Sequence, residues 1–258
     1  MSQFNTQNKN NAVFSIRSGG LTDTGHKRQR NEDSILMLPK QNFWLVADGM
    51  GGHHAGDFAS QTITSNAEQF TQQASLEQSI MALEDNFLQS NKIIRAKSSK
   101  TPHNKSIGST LVCLYIWKNL AFTIWAGDSR LYRFRHDKLE RMTEDHSYVE
   151  ELVKMGKLEA AEAEKHPASN IILRAIGIED ELKLDIDYSE LEAGDIFLLC
   201  SDGLYKDLSE DEIITVIKNN SQDMDILTQS LLSKSLAAGG TDNTSVIAIN
   251  VLKEKTHV

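Results

Sequence analysis

Four aspartates sit where apolar strands meet turns. Asp48 closes FWLVAD, Asp128 closes AFTIWAGD, Asp202 closes IFLLCSD, and Asp242 opens DNTSVIAIN. A carboxylate at the mouth of a buried strand costs stability unless it is solvated or paired. Taken singly, each reads equally well as a turn aspartate, because Asp, Asn and Gly favour turns for local reasons. Asp195 in EAGDIFLL is read as such a turn residue. The set is harder to dismiss, because strand ends of one sheet pair can converge on one edge. Convergent carboxylates raise each other's pKa or push apart, and a hard divalent cation resolves the conflict. Oxygen donors without a Cys or Cys/His cluster suit Mg²⁺ or Mn²⁺ rather than zinc. Two such ions, about 3.5–4 Å apart, can share one aspartate and activate a water between them.

Two neighbouring stretches extend this chemistry. FWLVADGMGGHHAGD follows Asp48 with Gly49, Gly51, Gly52 and Gly56, residues that permit close backbone approach and tight turns. GHKRQRNEDS places Arg28 four residues before Glu32 and Asp33. A guanidinium beside a metal site can clamp a phosphate through paired hydrogen bonds. In isolation the same run reads as a solvated basic turn. GDSRL lacks the last glycine of a GxSxG elbow, and no P-loop occurs.

The elements that must position these groups are legible in outline. Apolar, β-branched and aromatic runs predict strands over 34–38, 43–47, 110–117, 121–126, 131–135, 196–200 and 245–251. The Lys118-Asn119 pair predicts a hairpin over 110–126. Helical spacing predicts helices over 55–72, 76–97, 209–218 and 223–237. The third opens on a Ser209-x-x-Glu212 capping box, and Gly239-Gly240 stops the fourth. Strands and helices come in blocks, which favours antiparallel sheets with helices on their faces, an α+β architecture.

Bulk properties set limits. The chain has 258 residues, 40% apolar, with a formal net charge of −9. That balance argues against nucleic acid and against an anionic membrane surface. Cys113 and Cys200 lie in separate apolar runs and read as buried free thiols. Residues 1–11 read as a disordered tail, and 12–258 as one domain. Without a signal peptide or a membrane-length apolar run, a cytoplasmic protein is expected.

Eight segments in order resemble the metal-dependent serine/threonine protein phosphatases, the PPM or type 2C family. They are RQRNED (28–33), VADGMGG (46–52), GST (108–110), AGDSRLYR (126–133), EDHS (144–147), HPASNIILRAIG (166–177), LLCSDGL (198–204) and GGTDNTSVI (239–247). The compact DGMGGH form is similar to bacterial members. The resemblance implies a four-layer α-β-β-α sandwich, with two antiparallel sheets face to face between helices. It implies that Asp48 bridges two Mn²⁺ or Mg²⁺ ions, that Gly49 offers one its carbonyl, and that Asp202 and Asp242 complete the other. Asp128 matches a position that, with Asp202, holds a third and weaker ion. Glu32 and Asp33 would hold waters around the ions, and Arg28 the substrate phosphate. Met50 follows Asp48-Gly49, so His53 or His54 is the candidate donor of a proton to the leaving group; otherwise both are surface residues. His146 and His166 read as structural. Segment 136–180 matches a flap beside the active site, placed to gate access, and its Glu-rich helix in LVKMGKLEAAEAEKHP reads as a solvated face. The implied partners are phosphorylated proteins, a serine/threonine kinase and its substrates, met by a monomer. The competing reading is a catalytically silent member that only binds.

Overall fold

The strand that carries Asp48 explains the architecture. In the computed structural model, which describes residues 14–51, 55–100 and 106–253, Phe43, Leu45 and Ala47 enter one hydrophobic cluster while Trp44 and Val46 enter another. Side chains alternate along a strand, so a run that is apolar throughout must be covered on both faces. One cover is helical and the other is a second sheet.

The sheet of Asp48 runs β2 (Asp33–Leu38), β3 (Phe43–Met50), β5 (Leu111–Trp117), β6 (Leu120–Ala126), β9 (Asp185–Glu190), with β4 (Gly108–Ser109) paired to the end of β3. The other runs β1 (Phe14–Asp23), β11 (Thr244–Lys253), β10 (Ile196–Cys200), β7 (Arg130–Arg135), β8 (Lys138–Arg141). The strand pairs are antiparallel. Between the sheets pack Trp44, Leu114, Phe197, Leu199 and Ile249. Helices α1 (Gly56–Ala67) and α2 (Leu76–Ser98) cover the first sheet through Ile63, Leu83 and Phe87. Helices α6 (Glu210–Asn220) and α7 (Met224–Ala238) cover the second through Ile213, Ile217, Leu227 and Leu231. This is the expected α+β sandwich of four layers.

Local signals hold where they rest on a specific contact. Ser209 and Glu212 form both bonds of the capping box, and Gly239 caps α7. Trp117 pairs with Leu120, so Lys118-Asn119 is the hairpin turn, with Lys118 at φ 57°. The first predicted helix stops at Ala67, short of residue 72. Strands β1, β4, β8 and β9 and the short helices α3 (Tyr148–Lys154) and α5 (Asp202–Asp207) were not expected, and the Glu-rich helix is the single turn α4 (Ala160–Ala163), with no buried residue. The expected tail over 1–11 and the candidates His53 and His54 lie outside the described residues. Among the described residues no helix is long and apolar enough to cross a membrane. Both cysteines are buried and free, and burial pushes the Cys200 thiol up to about 12.

Asp195 is a turn residue with a structural task. It is fully buried, and its two oxygens accept from Arg135 Nε and a terminal Arg135 nitrogen, each at 2.6 Å. The Glu192 backbone N–H adds a third bond at 2.8 Å. Asp195→Ala should lower unfolding free energy by about 1.5–3 kcal/mol, the usual range for hydrogen bonds to a charged group. Urea unfolding checks this, and an unchanged midpoint would refute it.

Candidate active site

The two sheets end together, and the expected aspartates are at that edge. The chain leaves β6 and enters β7 through the turn that carries Asp128. Asp202 opens α5 directly after β10, and Asp242 stands just before β11. Asp33 and Asp48 lie opposite each other on β2 and β3. Like charges directly opposed across a ladder are destabilising, so the pairing demands compensation.

Backbone contact forces the convergence. A Cβ on Gly203 would lie 2.1 Å from the Asn243 carbonyl oxygen, so the turn after Asp202 rests on the loop of Asp242. A Cβ on Gly49 would lie 2.1 Å from the Gly56 carbonyl oxygen. The glycine after Asp48 is thus needed where the end of β3 passes the first turn of α1.

Side-chain hydrogen bonds then lock the edge. Asp33 Oδ2 accepts from Ser201 Oγ and Ser245 Oγ, both at 2.7 Å, clasping one sheet to the other. Asn243 Oδ1 accepts from the Glu32 N–H at 2.8 Å, and its Nδ2 donates to the Thr24 and Arg30 carbonyls. Thr110 Oγ1 accepts from the Asp48 N–H at 3.0 Å and bonds Ser129 Oγ at 2.7 Å. Sequence reasoning missed these positioning groups, although GST and TDNTS lie inside the segments it singled out.

The electrostatics match the sequence argument. Burial, then Asp33, Asp202, Asp128 and Asp242, hold the Asp48 carboxyl well above its usual range. Burial raises Asp33 to about 7 against its two serine bonds, and raises Asp128 to about 7 with help from Asp202. Glu32 is raised by burial while the Gly56 N–H at the start of α1 partly offsets it. Two side-chain cations stand against the cluster. A terminal nitrogen of Arg28 bonds Asp242 Oδ2 at 2.6 Å, and Lys206 Nζ bonds Asp202 Oδ2 at 2.5 Å. His146 holds the backbone next to Asp128: its Nδ1 accepts from the Gly127 N–H at 3.1 Å and its ring stacks on Trp125. His166 Nδ1 accepts from the Ala168 N–H.

These residues fit divalent cations. Among the described residues no three His, Cys, Asp or Glu side chains form a ready-made ligand cage. What converges is negative charge, with Asp33 Oδ1 and Asp128 Oδ1 buried and without a hydrogen-bond partner. Oxygen-only donors of this kind take hard ions.

Comparison with known proteins decides the family. The family model described as protein phosphatase 2C matches residues 16–152. The chain belongs to that family. It is a metal-dependent phosphoprotein phosphatase. The serine/threonine phosphatase stp of Listeria innocua is 33% identical over 238 residues, 88% of this chain and 93% of that protein. PppA, described as a key regulatory component of T6SS in Pseudomonas aeruginosa, superposes with a TM-score of 0.83 at 36% identity, covering 92% of this chain and 98% of that one. The catalytic domain of the phosphatase PstP, solved with two manganese ions, superposes at 0.82 with 28% identity over 93% of this chain and all of that one.

The raised carboxyls predict a pH dependence. Asp33 and Asp128 keep a proton up to about 7 when folded, against 3.8 as the ordinary value. Between these values the folded state binds more protons than the unfolded one, so stability falls as pH rises. The metal-free phosphatase should therefore melt at progressively lower temperature from about pH 4 to about pH 7, and added Mn²⁺ should restore most at the upper end. A melting temperature that rises across the interval would overturn this account.

Proposed function

We propose that this phosphatase hydrolyses phosphoserine and phosphothreonine in proteins by attack of a water activated at a two-metal centre. The observation that carries this reading is Asp48, half-buried at the end of β3 and facing the fields of four other carboxylates. Asp48, the Gly49 carbonyl, Asp202 and Asp242 are the groups that would hold two Mn²⁺ or Mg²⁺ ions, in line with the two manganese ions of the PstP structure. Ions held there supply Lewis acidity, neutralising phosphate charge and making a water acidic enough to attack.

The chain's own residues do the rest. Asp48 would hold the ions through its carboxylate. Glu32 and Asp33 stand behind it as acceptors that orient water, Asp33 fixed by its two serines. Arg28 is half exposed and now rests on Asp242. It can turn its guanidinium fork onto a phosphate dianion, which accepts paired N–H bonds. Attack by water needs no protein nucleophile, consistent with both cysteines being buried. His53 and His54 remain the candidates for protonating the leaving alkoxide. Residues 12–258 form the catalytic unit, with 136–180 as the flap at its mouth. The substrates are phosphoproteins made by a serine/threonine kinase, and that kinase itself, met in the cytoplasm by a monomer.

The test is hydrolysis of p-nitrophenyl phosphate and a phosphothreonine peptide with Mn²⁺, Mg²⁺ or EDTA. Wild type should turn over with Mn²⁺ and stop in EDTA, and Asp48→Asn should abolish turnover while staying folded. Arg28→Ala should raise KM for the peptide about tenfold or more, the loss of one charge-assisted pair. A folded wild type that is inactive with every metal would favour a silent binding module.

A further inference from the structure

Lys206 meets Asp202, one of the two aspartates to which the family resemblance gives a third ion. It lies four residues after Asp202 on α5, so both side chains share one face. Its Nζ lies 2.5 Å from Asp202 Oδ2 and 2.6 Å from Asn170 Oδ1. The ammonium is therefore held from two sides, by the metal edge and by the flap segment. The helix beneath it cannot drift. Tyr205 donates its hydroxyl to the Asp128 carbonyl at 3.0 Å, and the Arg130 guanidinium lies 3.5 Å over the Tyr205 ring. Lys206 also lines the cavity of about 330 Å³ that Asp128 borders, and its charge acts on the Asp128 carboxyl.

Those contacts compete with a third ion on its Asp202 side: Lys206 holds Asp202 Oδ2, while Asp128 Oδ1 keeps no hydrogen-bond partner. A divalent ion seated between Asp128 and Asp202 would meet the fixed ammonium at short range, and the two cations repel. Charge balance points the same way. Glu32, Asp33, Asp48, Asp128, Asp202 and Asp242 carry six negative charges when ionised. Two divalent ions with Arg28 and Lys206 carry six positive ones.

We propose that Lys206 is the resident cation of the Asp128–Asp202 pair, so that this phosphatase holds two divalent ions and excludes a third. The inference rests on the two-metal reading of Asp48, Asp202 and Asp242. The measurement is Mn²⁺ stoichiometry by equilibrium dialysis and electron paramagnetic resonance, on wild type, Lys206→Gln, and the double variant with Asp128→Asn. Circular dichroism confirms that each is folded. Wild type should saturate at two ions per chain. Lys206→Gln should take up a further, weaker ion, and Asp128→Asn in that background should remove it. Three ions on wild type, or only two on folded Lys206→Gln, would overturn the proposal and leave the two-metal centre standing. No Mn²⁺ binding by wild type would overturn both.

Discussion

Repulsion among carboxylates at a dry edge is the constraint on which this structure depends. Asp33 and Asp48 face each other across one ladder, and Asp128, Asp202 and Asp242 press on Asp48 from the other sheet. Left alone, such groups move apart or take up protons. The backbone closes the first escape. The Gly203 contact with Asn243 and the Gly49 contact with Gly56 tie the acidic loops to one another. The apolar layers behind them, from Trp44 and Phe197 between the sheets to Phe87 and Leu231 under the helices, supply the stability that this crowding opposes.

The compensation is layered outward. Serine hydroxyls from β11 and the end of β10 serve the buried Asp33. Arginine and lysine serve the more accessible Asp242 and Asp202. The same logic ties segment 136–180 to the site. Arg130 follows the Asp128 turn, and its guanidinium bonds Asp145 at 2.7 Å and Glu164 at 3.1 Å. A cation buried at the root of β7 thus holds two parts of that segment, while Lys206 holds Asn170.

Much of this was legible in sequence because it rests on burial. Runs such as FWLVA and IFLLC are apolar on both faces, so strands covered on both sides follow from them, while the face-to-face pairing of two sheets came from the family resemblance. The elements that escaped are those whose neighbours supply what their residues lack. Strand β1 carries Gly19-Gly20 and reads as broken, yet it pairs with β11 along its full ten residues. Strand β9 is DIDYSE, a short charged edge strand whose two apolar residues, Ile186 and Tyr188, are exposed. Helix α5 is six residues long, too short for a periodic signal. At the site, the aspartates announced themselves by position. Ser201, Ser245, Asn243 and Thr110 did not, because a polar residue near a turn looks the same whether or not it holds a carboxylate.

Lys206 shows where the motif stops and the environment takes over. The matching segment LLCSDGL ends at Leu204, and the next two residues are Tyr205 and Lys206. One helical turn carries that lysine back onto Asp202, so its charge enters the same electrostatic cluster as the motif residues. The number of ions such an edge accepts is a property of all the charges facing it, not of the carboxylates alone. Two chains with the same aspartates can therefore differ in ion count through one cation placed four residues along a helix.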